Sequence, residues 1–288
     1  MEAVVLWICI FFFYIICVVH DKRKAAEWKA ETEKREKEEL RKIHNRLCKL
    51  KIEISSLEKY LFLLDEFISI DVETTGLKAA KSSIIQIGCV YFKNGKATRK
   101  YIKYINPECS IPYNATKVNN ITNSMVEGAP TFDELLRVIS KIVTNYKIVG
   151  HNLRFDVKMI EEEFKRRNVN VNVNWGFCTM SEELKKPILE SKPTKYIKLV
   201  SLANKLKIPV EGRLHDAYTD ALLAGRIAVN LAIKKKMEIL RLEKENDFLK
   251  KDIKNLMINT RCSSIGIKSP KRLKKTGTDV FSTQTAYR

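Results

Sequence analysis

Three short segments of this 288-residue chain set acids and histidines at spacings suited to chemistry. In the first, Asp71 and Glu73 lie two apart in Phe67-Ile-Ser-Ile-Asp-Val-Glu73. On a strand, residues two apart project from one face, and the break at Gly76 puts the pair at the strand's C-terminal end, where ligand sites of open α/β sheets form. The flanking Phe67, Ile68 and Ile70 mark a buried strand, in which an unpaired carboxylate is costly. Two adjacent carboxylates repel unless a cation lies between them. In the second segment, His151-Asn152-Leu-Arg-Phe155-Asp156 follows a short apolar stretch, Lys147 to Gly150. Asp156 therefore falls near the first turn of a helix, a place the helix macrodipole by itself favours for an acid. In the third, His215 and Asp220 are five apart. An ideal helix would hold them about 140° apart, so they converge only if His215 sits in a loop ahead of the helix. Gly212 just upstream permits such a loop.

The elements that must position these groups are legible nearby. The stretch Glu66 to Leu77 begins as a strand and breaks at Gly76, and Ile84 to Phe92 and Thr98 to Ile105 are further strand candidates. The turn Lys93-Asn-Gly-Lys96 joins the last two with a hairpin signal. Helices are expected at about 131 to 144, 153 to 167 and 216 to 233, with a short strand at 147 to 150. A meander followed by alternating helices and strand indicates an α/β or mixed-sheet domain over residues 67–233.

Taken together, Asp71-Val-Glu73-Thr-Thr-Gly-Leu77, His151-Asn-x-x-Phe-Asp156 and His215-x-Ala-x-x-Asp220 resemble, in order and spacing, the three exonuclease motifs of the DnaQ-like superfamily. This is the family of the proofreading epsilon subunit of bacterial DNA polymerase III. The resemblance runs from Phe67 to about Ala232 and includes Ile84-Ile-Gln-Ile-Gly88 and Ala129-Pro-Thr-Phe132. Asp216 rather than Tyr stands four before Asp220, and His215 is present, so the chain is similar to the subclass with a catalytic histidine (DEDDh).

The resemblance implies an RNase H-like mixed sheet flanked by helices, and two Mg²⁺ or Mn²⁺ ions held by Asp71, Glu73, Asp156 and Asp220, with Asp71 bridging. Carboxylate oxygens are hard ligands suited to those ions. His215 is implied as the base that takes the proton of the attacking water, a role imidazole suits at neutral pH, with Glu73 sharing the catalytic work. Thr74, Thr75, Gly76 and Leu77 are implied contacts to the terminal nucleotide, and Asn152 and Phe155 line the same pocket. His151 is read as structural. The implied activity is 3′ to 5′ hydrolysis at single-stranded ends, DNA favoured, releasing nucleoside 5′-monophosphates. An RNA or oligoribonucleotide substrate, and a non-catalytic nucleic-acid-binding scaffold, are the rival readings. Any polymerase partner is expected to be a separate chain.

Beyond that domain, composition speaks. Lys and Arg number 53 against 34 Asp and Glu, a net charge of +19, which points to a polyanion such as nucleic acid or an anionic membrane face. Residues 67–233 carry +9 of it, and residues 234–288 another +9. A 45% apolar share excludes a wholly disordered chain, and seven Cys without a CxxC pair fit neither a disulfide scaffold nor a zinc ribbon.

Residues 1–20 hold an unbroken apolar run, Ala3 to Val19, followed by Lys22, Arg23 and Lys24. A single-pass membrane anchor is expected there; the positive-inside rule would keep the rest cytoplasmic and leave the sequons at Asn114 and Asn120 unused.

Residues 21–66 begin as a solvated charged helix and acquire a seam: Leu40, Ile43, Leu47, Leu50, Ile54, Leu57, Leu61 and Leu64. A second seam over residues 234–258 comprises Ile239, Leu242, Asn246, Leu249, Ile253 and Leu256. Both have coiled-coil spacing. A parallel homodimer through the first would oppose Arg46 with Lys51 and Glu53 with Glu58, so self-association and pairing of the two seams within one chain both stand open. Residues 259–288 are expected to be a basic disordered tail.

Overall fold

The computed structural model describes residues 2–184 and 196–264. The described residues divide into two compact units, Ser55–Leu240 and a second built from residues before 55 and after 240.

The first unit is a five-stranded mixed sheet in the order β3-β2-β1-β4-β5. Strands β1 (Glu66–Thr74), β2 (Ile84–Lys93) and β3 (Lys96–Tyr104) form an antiparallel meander, whereas β4 (Ile148–Gly150) and β5 (Trp175–Cys178) run parallel to β1. Alternation along β1 decides what each face sees. Ile68, Ile70 and Val72 enter a core with α4 (Phe132–Asn145) and α5 (Leu153–Arg166). Phe67 enters a second core with α7 (Leu199–Lys205) and the long helix α8 (Ala217–Ser264). Asp71 and Glu73 share the parity of Phe67, so they continue the row that α8 covers. Helix α4 begins with a capping box in which Thr131 and Glu134 bond reciprocally, as the Thr-x-x-Glu spacing requires. Between β3 and α4 lie the short helices α2 (Tyr113–Asn119) and α3 (Asn123–Val126), and α6 (Thr179–Leu184) follows β5.

Gly88 makes the approach of α8 to the sheet possible. It pairs across the ladder with Asp71, and a Cβ built on it would lie 2.3 Å from the Ala217 backbone. The missing side chain lets the first turn of α8 rest on β2 beside the β1 acids. Farther along, Gly225 meets the ring of Phe92, which stacks on Phe67 with centroids 4.8 Å apart.

Strand β5 has no counterpart in the sequence expectations. The helix expected over residues 21–66 belongs to α1 (Glu2–Glu58) and stops at Glu58, so Leu61 and Leu64 of the first seam lie in a 3₁₀ turn instead. Tyr60 explains the break, because its side chain is buried and its hydroxyl donates to Glu182 at 2.9 Å.

In the second unit, Arg46 forks onto Glu245 through Nε and Nη2 at 2.8 and 3.2 Å. Leu50 and Leu242 are buried. Among the described residues no helix is long and apolar enough to cross a membrane. The expected anchor over residues 1–20 falls partly outside the described residues, and most of the basic tail falls wholly outside them.

Substituting Gly88→Ala should lower stability by about 1–3 kcal/mol, the scale of overpacking a closed contact, as measured by urea unfolding. Gly128→Ala, where the new methyl meets nothing within 4 Å, should stay within about 0.5 kcal/mol of the parent.

Candidate active site

The three sequence segments converge on one cleft of about 620 Å³ in the first unit. All the expected site residues line it, including Thr74, Thr75, Gly76 and Leu77 and also Asn152 and Phe155. Asp71 and Glu73 project into it half-buried. Asp156, 2% exposed, comes from the first turn of α5 and accepts a hydrogen bond from the Val72 backbone N–H at 3.0 Å. That bond fixes α5 against β1 between the two strand acids, a link that no local spacing reveals.

His215 stands in the loop before α8, exposed and with a φ of +58°. Non-glycine residues seldom adopt this left-handed conformation, and it marks strained, often functional positions. It turns the chain back, so that the His215 N–H donates to Asp220 Oδ2 at 3.1 Å. Ligating atoms of Glu73, His215 and Asp220 consequently fall within 4.8 Å of one another. Asp216 occupies the N-cap of α8: its carboxylate accepts from the Thr219 N–H and from the Gln86 amide, both at 3.1 Å. An acid at that position is thus accounted for by capping and by its bond to β2.

Several residues absent from the sequence expectations shape the cleft. Asn119 ends α2, is buried, donates to the Thr74 carbonyl at 3.4 Å and also bonds the Glu73 side chain. The Arg213 guanidinium holds the Asn119 carbonyl at 2.9 Å. Tyr196, Lys198, Leu199 and Val200 form part of the wall. None of these belongs to a spaced motif, so only the tertiary contacts identify them. His151 is structural, as read: its ring bonds the Thr179 hydroxyl at 2.8 Å and the Ile197 carbonyl at 2.6 Å. Burial lowers its pKa, against the opposing Ile197 hydrogen bond.

The electrostatics of the cleft are dominated by crowded anions, which Arg213 opposes at Glu73 and His215 at Asp220. Burial, then the neighbouring Asp156, Asp220 and Glu73, pushes the Asp71 carboxyl well above the usual range. Glu73 is pushed up to about 7, first by burial and then by Asp220, with the Asn119 amide opposing. Asp156 is raised by burial against the Val72 hydrogen bond, and Asp220 is raised to about 6, again chiefly by burial. Asp220 Oδ1 is buried and has no hydrogen-bond partner among the described residues. Four convergent carboxylates, one with an unfilled buried oxygen, fit a divalent cation site built of hard oxygen ligands.

Comparison with known proteins agrees with this chemistry. The RNase T exonuclease family model matches residues 68–228. The chain is 30% identical over 200 residues to the PolC-type DNA polymerase III of Clostridium perfringens (strain 13 / Type A), covering 67% of this chain and 13% of that protein. It is also 30% identical over 170 residues to the DNA polymerase III subunit epsilon of Aquifex aeolicus (strain VF5), covering 59% of this chain and 82% of that one. The chain spans only 9% to 13% of the length of the PolC-type relatives it matches. Among solved structures, E. coli exonuclease I in complex with a dT13 oligonucleotide shares the fold, with a TM-score of 0.50 at 16% identity over 62% of this chain and 43% of that one.

Folded Glu73 keeps its proton to about pH 7 against an ordinary 4.5, and Asp220 to about 6 against 3.8. The folded state therefore binds more protons than the unfolded chain over that window, and its stability falls as pH rises from about 4 to 7. Metal-free protein should melt several degrees lower at pH 8 than at pH 5, on a scale of about 2–4 °C per kcal/mol for a domain of this size. Excess Mn²⁺ at pH 8 should reverse the loss by mass action, and Asp71→Asn should blunt both responses.

Proposed function

Because the chain belongs to the RNase T exonuclease family and carries the complete DEDDh set, we propose that it is a metal-dependent 3′ to 5′ exonuclease. It acts on single-stranded ends and releases nucleoside 5′-monophosphates. The observation that carries this reading is the convergence of Asp71, Glu73, Asp156, His215 and Asp220 on one cleft. Asp71, Glu73, Asp156 and Asp220 would hold two Mg²⁺ or Mn²⁺ ions, whose chemistry is to acidify a water and polarise the phosphodiester. The protein's own groups do the rest. His215, exposed at the cleft edge and within 4.8 Å of Glu73 and Asp220, accepts the proton of the attacking water. Leu77, 86% exposed at the rim, and the half-buried Phe155 pack on the terminal base. The excess of basic residues over 67–233 attracts phosphate without regard to sequence.

DNA is the favoured substrate, since relatives of this domain are DNA polymerase III components by name. The same names support a separate polymerase chain as partner. The unbroken apolar run Ala3 to Val19 in the sequence supports a single-pass anchor, with Lys22, Arg23 and Lys24 keeping the catalytic unit on the cytoplasmic face. The forked Arg46–Glu245 pair supports pairing of the two seams within one chain rather than a parallel homodimer.

With 3′-labelled oligonucleotides and Mg²⁺ or Mn²⁺, full-length protein in detergent should release mononucleotides, and Asp71→Ala should release none. His215→Ala should lower kcat by about 10²–10⁴-fold, the usual worth of a positioned base, while retaining metal-induced thermal stabilisation. Matched DNA and RNA strands should be degraded in that order of rate. Wild-type protein as inert as Asp71→Ala would sink the enzyme reading in favour of a binding scaffold. Deleting residues 2–20 should move the protein from the membrane fraction to the supernatant without loss of activity.

A further inference from the structure

We propose that Arg166, in the last turn of α5, is a positioning residue that sets the place of Leu77 against the terminal nucleotide. One helix would then fix both a metal ligand and the wall of the base site. The inference rests on the 3′-end reading of the cleft and deepens it.

Leu77 lies on a loop that leaves β1 at Thr75 and returns at Ser83. The neck is closed twice: the Thr75 N–H donates to the Ser83 carbonyl and the Ser83 N–H to Thr75 Oγ1, both at 2.9 Å. Just inside it, Gly76 passes so near Ser82 that a Cβ would sit 2.8 Å from the Ser82 hydroxyl. The far side of the loop is held by Arg166, whose Nη2 donates to the carbonyl of Ala79 and, at 2.8 Å, to that of Ser82. Glu163, 3% exposed, accepts from Arg166 at 3.3 Å, from Arg167 at 2.7 Å and from the Ile84 N–H at 3.0 Å. Both the loop and its return strand are therefore tied to the same turn of α5.

The consequence is geometric. Leu77 is 86% exposed, so its own packing does not fix it; the loop must. Asp156 lies ten residues earlier on α5, about 15 Å along a rigid rod, and reaches β1 through Val72. The distance between the metal ligands and the base wall is thereby set by one helix gripping β1 at one end and the loop at the other. The grip needs a guanidinium. Its planar fork spans two carbonyls and a carboxylate at once, whereas a lysine ammonium is a point charge on a flexible stem.

The test is steady-state hydrolysis of 3′-labelled single-stranded DNA by full-length wild type, Arg166→Lys, Leu77→Ala and the double variant. Arg166→Lys keeps the charge beside Glu163 and should still raise KM about tenfold, the scale of one misplaced apolar contact, with kcat within about twofold. The double variant should be no worse than Leu77→Ala. On a strand ending in an abasic 3′ nucleotide, which gives Leu77 nothing to pack on, Arg166→Lys should match wild type. Arg166→Met, in which Glu163 still holds Arg167, should repeat the pattern. The proposal is overturned if Arg166→Lys behaves as wild type on ordinary ends, if it loses kcat equally on both kinds of end, or if the two KM effects multiply. A wild type that binds Mn²⁺ but leaves every strand intact overturns the 3′-end reading itself.

Discussion

Four carboxylates drawn into one cleft repel one another, and the surrounding structure must hold them there against that force. Two like unit charges about 4 Å apart repel by roughly 4 kcal/mol at an effective dielectric of about 20. At Asp71 the charged neighbours Asp156, Asp220, Glu73 and Asp216 all push the carboxyl upward. The cluster is tolerable as a proton store or as a cation site, and the orphaned Asp220 Oδ1 favours the second. Stability has been given up locally for the ability to hold charge, as is usual where function strains a fold.

The scaffold answers the repulsion with rigidity from three directions. Strand β1 is central in the sheet, paired along its length with β2 and shorter β4. Helix α5 is anchored to it through the Asp156–Val72 bond. Helix α8 is admitted by the bare backbone of Gly88 and locked through Gln86, whose amide bonds Asp216 while its carbonyl accepts from the Ala217 N–H at 3.1 Å. Each device acts on backbone or on a helix end, so each acid's position is set by elements rather than by its own rotamer. This is how a site survives internal repulsion without drifting apart.

Arg213 braces Asn119, and Asn119 braces both Thr74 and Glu73, so a cation acts on the site through a chain of hydrogen bonds as well as by its charge on Glu73. Glu163 shows the opposite arrangement on the same helix as Asp156. It is as buried as Asp156 but saturated, with two arginines and a backbone N–H. The contrast separates a structural acid, whose charge two arginines neutralise, from the cleft acids, of which Asp220 keeps a buried oxygen without a partner among the described residues.

The sequence by itself determined the acids, their order and most of the elements that carry them. Asp71 and Glu73 show as a same-face pair because strand periodicity is local, and the condition that His215 precede its helix followed from helical geometry alone. The strand stretches of β1 and β2 and the Asn-Gly turn between β2 and β3 were legible for the same reason. The tertiary structure decided what depends on residues far apart in the chain. Asp156 meets Val72 across 84 positions, Asn119 meets Thr74 across 45, and Arg166 grips a loop more than 80 positions earlier. The end of α1 at Glu58 and the four-residue β5 belong to this class too, since a buried Tyr60 and the neighbouring β4 override or supply what local pattern does not. Periodicity records which face of an element is buried, whereas the partner that covers that face is chosen only when the chain closes on itself.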